Sequence, residues 1–308
     1  MTKRVKVILN PITGRPNGTA KIANIEQALQ QVQLDYSLVV TEHPKQGTEL
    51  AHQATLEGWP IIVAAGGDGT VSEVVNGIMQ ADDEHNKPIL GIIPSGTAND
   101  LASMLQLPKD IQEACQRLAI GESKLIDVGQ VNGHFFVNNS AVGLEPVVTV
   151  AQHNMRWMMK GVPRYIVAAI KSILTAKNWD VRVEWPSGCY EGSAILVSVG
   201  NSARTGGVFY MTPEAVVDDG LIDFVYGAGM SRWRMFTLLP RLLSGSHINH
   251  PMVIYRKTKE LKLPFRPPPQ FRQMGRLSTM RLPKSVTPLS PKDYRSLFKA
   301  CYPNPFLI

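Results

Sequence analysis

The stretch that decides the fold is Ile61-Ile62-Val63-Ala64-Ala65-Gly66-Gly67-Asp68-Gly69-Thr70, which a segment with helical spacing (71–79) follows. Its apolar half is rich in Ile and Val and has no polar alternation, as is typical of a strand buried on both faces of a parallel sheet. The glycines remove side chains where the strand turns into the helix, so a phosphate could approach bare N–H groups at the helix N-terminus. Asp68 would stand at the carboxyl edge of the sheet, where open α/β folds bind ligands. Gly-Gly-Asp-Gly also occurs in ordinary tight turns, so this stretch alone leaves both interpretations open.

Strands and helices alternate on both sides of this stretch. The pattern predicts strands at 5–9, 36–41, 61–65 and 88–93, and helices at 19–33, 47–56, 71–79 and after residue 99. This alternation indicates an α/β domain with a parallel sheet and helices on both faces. The loops 10–18, 66–70 and 94–100 all follow strands and are rich in small hydrogen-bonding residues. Because the carboxyl ends of parallel strands share one edge, the three loops predict a common binding site.

The second half of the chain has a different pattern. Strand-like segments dominate and few helices separate them; they lie at 124–128, 134–138, 181–185, 194–200 and 221–226. This pattern predicts a mostly antiparallel β domain. We therefore expect an α/β nucleotide-binding domain over 1–128, a β-rich second domain over 129–262, and a tail over 263–308.

Composition narrows the function classes. A chain of 308 residues can hold two domains and a substantial core. The three cysteines have no metal or redox spacing, which suits a reducing cytosol. The net charge of +7 comes from residues 263–308, which carry eight Lys/Arg and one acidic residue. The first 262 residues contain 24 basic and 24 acidic residues and have no net charge. We therefore expect no nucleic-acid surface on the folded part.

The three loops carry a family resemblance. Asn10-Pro11 with Gly14, Gly66-Gly67-Asp68-Gly69-Thr70, and the run from Pro94 to Ala102 resemble the diacylglycerol kinase catalytic-domain family in order and spacing. That family includes bacterial lipid kinases and sphingosine and ceramide kinases, with NAD kinases as distant relatives. The resemblance continues through 135–144 and 212–221. It implies a β-sandwich-like second domain and a cleft between the domains for nucleotide and acceptor.

The resemblance implies an ATP- and Mg²⁺-dependent kinase whose acceptor is a lipid hydroxyl. Phosphoryl transfer depends on positioning and charge neutralisation more than on covalent groups. Asp68 could accept the hydroxyl proton or hold Mg²⁺, and Asp100 is a weaker candidate for the same site. We expect the nucleotide to contact a set of loop residues: Asn10, Arg15, Thr41, Gly66, Gly67, Gly69, Thr70, Ser95, Gly96 and Thr97. The resemblance also implies a second, structural Mg²⁺ site at Asp218, Asp219 and the carbonyl of Leu221, where adjacent carboxylates suit a hard cation.

The implied partners are ATP and a lipid at a membrane surface. The sequence leaves open whether the protein forms a homodimer. No apolar run approaches the ~20 residues of a membrane span. The segments 155–177 and 231–243 mix apolar residues, Trp and spaced cations. They could lie on an anionic membrane or could be domain-packing helices with a solvated charged face. A lipid kinase of this kind would be cytoplasmic and peripheral at the inner membrane surface.

The tail departs from the family pattern. The family usually shows Asp-Gly-Glu there, with a glutamate that faces the cleft, and this chain has Gln273-Met274-Gly275-Arg276 in a Pro-rich segment. The same gene can be read in the frame that joins the third base of each codon to the first two bases of the next. In that frame the single Met codon forces glycine across Met274 and Gly275, and the codons on either side permit aspartate and glutamate. We therefore hypothesise a frameshift near residues 261–266 and expect a poorly ordered tail with impaired activity. Two alternatives follow: a soluble-substrate kinase of the NAD kinase type, or a nucleotide-binding protein without catalysis.

Overall fold

The computed structural model describes residues 4–12, 18–81, 87–155, 162–264 and 295–308. The described residues form two sheets, one parallel and one antiparallel. Both were expected from the sequence.

The first sheet is parallel throughout. Its strands are β1 (Arg4–Leu9), β2 (Asp35–Val40), β3 (Ile61–Gly66) and β4 (Ile89–Pro94), in the order β2-β1-β3-β4. The accompanying helices are α1 (Gly18–Gln31), α2 (Gln46–Leu56), α3 (Asp68–Gln80), α4 (Asp100–Met104) and α5 (Ile111–Ile120). The predicted alternation of strands and helices is confirmed.

Strand β3 is buried along its whole length. Successive side chains of a strand point to opposite faces, so Ile62 packs with the helices α2 and α3 and Val63 with α1 and α5. A continuous apolar run is what a strand covered on both faces requires. On one of these faces, Gly77 of α3 lies so close to Thr48 and Ala51 of α2 that any side chain would overlap them.

The second sheet is antiparallel in every pairing between described strands. Its strands are β5 (Leu125–Val131), β6 (His134–Phe136), β7 (Asn139–Gly143), β8 (Trp179–Trp185), β9 (Gly188–Gly200), β10 (Ile222–Ala228), β11 (Val253–Thr258), β12 (Glu260–Pro264) and β13 (Arg295–Leu307). They run in the order β11-β10-β9-β8-β12-β13-β5-β6, and β7 pairs with β9. Three helices, α6 (Leu144–Asn154), α7 (Val162–Thr175) and α8 (Arg232–Ser244), and a 3-10 turn (Ser246–Asn249) complete this half.

The change from one sheet to the other comes earlier than the expected boundary after residue 128. That boundary falls inside β5, which pairs with β13 over Leu125 to Val131 and therefore belongs to the second sheet. A two-residue turn, Asn132-Gly133, joins β5 to β6, and both turn residues have positive φ (48° and 79°). A tight hairpin of this kind requires antiparallel strands, which the parallel first sheet does not accept.

The last residues of the chain differ from the expected poorly ordered tail. Residues 295–307 form β13, which pairs with β12 on one side and β5 on the other. The prolines hid this strand from pattern reasoning, because proline breaks a regular ladder. The register of β13 against β5 shifts between Cys301 and Phe306, so Pro303 and Pro305 fall in the irregularity, where proline is tolerated. The Gln273–Arg276 segment and the rest of 265–294 lie outside the described residues.

None of the helices in the described ranges combines the length and apolarity needed to cross a membrane.

Candidate active site

The β3–α3 and β4–α4 loops meet at the carboxyl edge of the first sheet. The Ser95 N–H donates to the Gly66 carbonyl at 2.8 Å. A Cβ on Gly96 would overlap the Cα of Gly67 and lie 2.7 Å from Asn99 Oδ1. The two loops therefore approach backbone to backbone, and glycine is required where they touch.

The N-terminus of α3 forms one wall of this site. Gly67 caps the helix, and a Cβ on Gly69 would meet nothing within 4 Å. The first-turn N–H groups of a helix have no intrahelical partner, so this end of α3 suits an anion. Two buried hydroxyl oxygens beside it, Thr70 Oγ1 and Ser95 Oγ, have no hydrogen-bond partner among the described residues. Glycine backbone, helix end and unpartnered hydroxyls together fit the phosphates of a nucleotide.

Asp68 is held by three donors on one oxygen. Its Oδ1 accepts from the Asp100 N–H at 2.7 Å, from the Leu101 N–H at 3.4 Å and from Asn138 Nδ2 at 3.0 Å. All three bonds use Oδ1, so Oδ2 is the oxygen that remains for a ligand. The third donor comes from the second half of the chain, which locks the carboxylate between the two sheets.

Asp100 is the second carboxyl of the site. It is 5% exposed, and its Oδ1 accepts from the Gly207 N–H at 2.8 Å. Burial is the main cause that raises its pKa to about 6, the charge of Asp68 acts in the same direction, and the Gly207 N–H and Arg204 oppose the shift. The two carboxyls therefore share one end of the cleft, and that of Asp100 is the more tightly enclosed of the two.

A cavity of about 580 Å³ extends from this carboxyl pair into the second half of the molecule. Asp68, Gly69 and Asp100 line one end. The remainder is walled mainly by apolar side chains of α6, α7, α8, β9 and β10, among them Val148, Ile173, Leu196, Val225, Leu238 and Leu242. The arrangement places the two aspartates at one end of a mainly apolar chamber.

The remaining predicted nucleotide residues lie at or near the same sheet edge. Asn10 follows β1: its Oδ1 accepts from the Ile12 N–H at 3.0 Å, and its N–H donates to the Ala65 carbonyl. Thr41 follows β2 and is buried, with its N–H bonded to the Leu9 carbonyl. Thr97 is exposed in the β4–α4 loop. Arg15 lies outside the described residues.

The predicted second metal site is a turn in which each carboxylate meets a lysine. Asp218 pairs with Lys124 at 2.8 Å and Asp219 with Lys257 at 3.6 Å. The Leu221 N–H donates to Asp219 Oδ1 at 3.0 Å. Within the described ranges no three acidic, His or Cys side chains are grouped closely enough to hold a metal ion. The oxygen donors suit Mg²⁺ chemically, but their lysine partners would have to move, so this site stays a prediction.

Asp127 lies beside that turn and outside the cavity. Its Oδ2 accepts from the Gly220 N–H at 2.7 Å, and burial is the main cause of its raised pKa. This geometry gives Asp127 a structural role in the turn.

Pattern reasoning missed three residues of the site. Asn138, which bonds Asp68, lies in a stretch whose only sequence signal is its resemblance to the family. Gly207, which bonds Asp100, lies in a loop of the second half. Glu145 lines the cavity and had no sequence signal at all.

The comparisons with known proteins agree with this geometry. Residues 4–131 match the family model described as "Diacylglycerol kinase catalytic domain". Residues 139–281 match the model "YegS C-terminal NAD kinase beta sandwich-like domain".

Curated relatives align over most of their length. A diacylglycerol kinase of Bacillus subtilis (strain 168) is 31% identical over 262 residues, which cover 85% of this chain and 86% of the relative. One of Staphylococcus aureus (strain MRSA252) is 30% identical over 263 residues, covering 85% and 82%. The fold resembles a crystal structure of a diacylglycerol kinase from Bacillus anthracis (strain Sterne), with a TM-score of 0.66, 23% identity and 85% of both chains covered.

Proposed function

The chain belongs to the diacylglycerol kinase family, and on that premise we propose that it transfers the γ-phosphate of ATP to the hydroxyl of a diacylglycerol-like lipid. The product is phosphatidic acid or a related phospholipid. One observation carries this proposal: the Asp68–Asp100 pair lies at the end of a long apolar cavity.

The cavity favours a lipid acceptor over a soluble one. A dinucleotide acceptor, as in an NAD kinase, needs polar groups along its ribose and phosphates. The walls of this cavity away from the Asp68–Asp100 pair are mostly aliphatic, with Leu, Ile, Val and Met from three helices. Such walls hold acyl chains through the hydrophobic effect and leave the polar head at the carboxyl pair.

The phosphoryl donor fits the first sheet. The Gly66–Thr70 and Ser95–Thr97 loops would hold the phosphates of ATP through backbone N–H groups and the hydroxyls of Thr70 and Ser95. Mg²⁺, when bound, neutralises the charge of those phosphates, and Asp68 and Asp100 are the carboxylates placed to hold it. The donor phosphate and the acceptor hydroxyl then meet at the contact between the two halves of the molecule.

The carboxyl pair orients the acceptor and receives its proton. Asp68 is fixed by three bonds to Oδ1, so Oδ2 is presented to the acceptor hydroxyl in one orientation. Asp100, with a pKa of about 6, is close to the range where a general base works well at neutral pH. We propose that Asp68 holds the hydroxyl or Mg²⁺, and that the pair takes up the proton as the phosphoryl group is transferred.

We also propose that the enzyme is cytoplasmic and works at the inner membrane surface through the outer faces of α7 and α8. Neither helix contains an acidic residue. The exposed cations are Lys171 on α7 and three arginines on α8, Arg232, Arg234 and Arg241. Trp233 is 79% exposed and Leu174 is 53% exposed. Arg232 Nε donates to the Ala176 carbonyl and ties the start of α8 to the end of α7. Exposed Trp and Leu between cations suit the interface of an anionic bilayer, and the inner faces of the same helices wall the cavity.

The experiment is a kinase assay with labelled ATP and Mg²⁺ on a panel of acceptors. Diacylglycerol, monoacylglycerol and a long-chain base are presented in mixed micelles, and NAD is offered in solution. The proposal expects labelled lipid and no labelled NAD. Labelled NAD alone would assign the chain to the soluble-substrate branch, and ATP binding without any product would identify a protein without catalysis.

A further inference from the structure

The cavity contains a carboxyl group that phosphoryl transfer does not explain. Glu145 lies in the first turn of α6, directly after the turn at Gly143 (φ 90°) that leads out of β7. It lines the cavity together with Thr205 and Val148. The cavity wall is mainly apolar, so a buried carboxyl whose hydrogen bonds are incomplete costs free energy here that a leucine would not.

The two oxygens of Glu145 are unequally used. Oε1 accepts from Thr205 Oγ1 at 3.0 Å. Oε2 has no hydrogen-bond partner among the described residues. The Ser198 hydroxyl is near it, outside hydrogen-bonding geometry, and is itself without a partner in the same part of the chain. One side of the carboxyl is therefore anchored and the other is unsatisfied.

The environment of Glu145 favours its protonated form. Burial raises its pKa, and the nearby hydroxyls of Ser198 and Thr205 oppose that shift. A protonated carboxyl has one O–H to donate, and it leaves an acceptor oxygen for Thr205.

Glu145 and Asp100 are held by the same short loop. Thr205 donates to Glu145 through its side chain, and Gly207 donates to Asp100 through its backbone. The Cα atoms of Thr205 and Gly207 lie at most about 7 Å apart, so one short stretch of loop anchors both carboxyls to the wall of the cavity. In a 1,2-diacylglycerol, one ester is on the carbon next to the one that carries the free hydroxyl, so both groups lie at the same end of the acceptor.

We infer that Glu145 is a specificity-determining residue that donates its O–H to an ester carbonyl of the acylglycerol acceptor, next to the hydroxyl held at Asp68 and Asp100. The inference rests on the proposed function and names the chemical class that the site selects: an acylated glycerol over an ether-linked glycerol or a long-chain base. An ammonium group would instead need an ionised Glu145, and an ion pair in an apolar cavity seldom recovers its desolvation cost.

The test uses two acceptors that differ only in the carbonyls. A 1,2-diacylglycerol and a 1,2-dialkylglycerol of equal chain length carry the same hydroxyl and the same apolar bulk. Each is titrated against the wild-type protein, Glu145→Leu, Glu145→Gln and the control Val148→Ala, one turn further along α6. Lipid binding is measured from the rise in melting temperature, and KM and kcat are measured where turnover occurs.

Glu145→Leu should raise the Kd and KM for the diacyl lipid about tenfold, the value of one neutral hydrogen bond, with little effect on kcat. The dialkyl lipid should be affected less than twofold. Glu145→Gln retains an N–H donor and should stay within about threefold of wild type on both lipids. Val148→Ala should weaken both lipids by the same factor.

Equal losses on both lipids in Glu145→Leu, or no loss on either, would overturn the inference. The inference would also be overturned if the wild-type protein bound no acylglycerol. The same holds if a long-chain base bound well to the wild-type protein and did not bind to Glu145→Gln. The proposed function is judged separately: diacyl-selective binding that depends on Glu145, without any phosphorylated lipid, would sink the kinase proposal and leave this inference standing.

Discussion

The Asp100 backbone N–H donates a 2.7 Å hydrogen bond to Asp68 Oδ1. This bond joins the loops that follow β3 and β4, and it brings the two side-chain carboxyls close enough for the charge of Asp68 to raise the pKa of Asp100. The pair therefore acts as one unit, and changes to either member should be read together.

Asp68→Asn should lower turnover by at least ~10², a magnitude typical of losing a general base or an essential carboxylate. Asparagine keeps the Oδ1 acceptor for its three donors, so the fold and the melting temperature should change little. Steady-state kinetics on lipid micelles measure the effect, and Asp180→Asn, an exposed change on β8, serves as the control. Turnover near the wild-type value would remove Asp68 from the mechanism.

The raised pKa of Asp100 makes it a source of pH-dependent instability. The pKa of its carboxyl is about 6 in the fold, against an ordinary value of 3.8. Ionisation of Asp100 therefore lowers the free energy of unfolding: the loss is absent below about pH 4, grows between pH 4 and 6, and is constant above pH 6. Asp100→Asn removes the ionisation and should be more stable than wild type by about 2 kcal/mol at pH 8. The two proteins should be equally stable near pH 4. Melting temperatures from pH 4 to 8 test this, and a difference independent of pH would contradict it.

Gly96→Ala should separate the β3–α3 and β4–α4 loops. Its Cβ would overlap the Cα of Gly67, so both the melting temperature and ATP binding should fall. Gly69→Ala is the matched change, because its Cβ meets nothing within 4 Å. That variant should melt like wild type and bind ATP at least several-fold more weakly, since its methyl group enters the space of the phosphates. Calorimetric titration with ATP compares them; equal ATP affinity in all three proteins would remove the loops from the nucleotide site.

Trp233→Glu should weaken binding to anionic vesicles at least tenfold. It removes an exposed aromatic ring and introduces a negative charge, which the anionic lipid headgroups repel. Leu56→Glu is the control, a change at a 63% exposed residue on α2. Co-sedimentation with vesicles of phosphatidylglycerol and phosphatidylcholine gives the comparison. Activity on a short-chain, monomeric diacylglycerol should be the same in both variants. Vesicle binding that survives in Trp233→Glu would place the membrane contact elsewhere.

The frameshift hypothesis predicts that restoring the frame after about residue 264 raises kinase activity, because Asp-Gly-Glu then replaces the Gln273–Arg276 region. The comparison is between the present chain and the frame-restored one, by lipid kinase assay and melting temperature. Equal lipid phosphorylation by the two proteins would show that the present C-terminus is functional.

Much of the fold was predictable because it rests on local pattern. The apolar run at 61–65 predicts a buried strand, and the glycines after it predict a turn. Neither prediction needs information from the rest of the chain. The meeting of Asp68 with Asp100 also followed, since parallel strands end at one edge. Three residues of the site were not predictable: Asn138, Gly207 and Glu145. Each of them bonds a residue that is distant in the sequence, and only the folded structure brings the two together. Strand β13 was hidden for a different reason, since its prolines are acceptable only at an irregularity that the sequence does not mark.

The place of β13 in the second sheet has a consequence for how the protein is made. The first sheet has all its strands once residue 94 has left the ribosome, whereas β5 pairs along one edge with β6 and waits along the other for residues 295–307. At ordinary rates of synthesis that wait is roughly 10 to 30 s. During it, the edges of β5 and β12 that β13 later covers are open to other chains. The newborn protein is therefore most exposed to pairing with other chains after the strands of its first sheet have already been made.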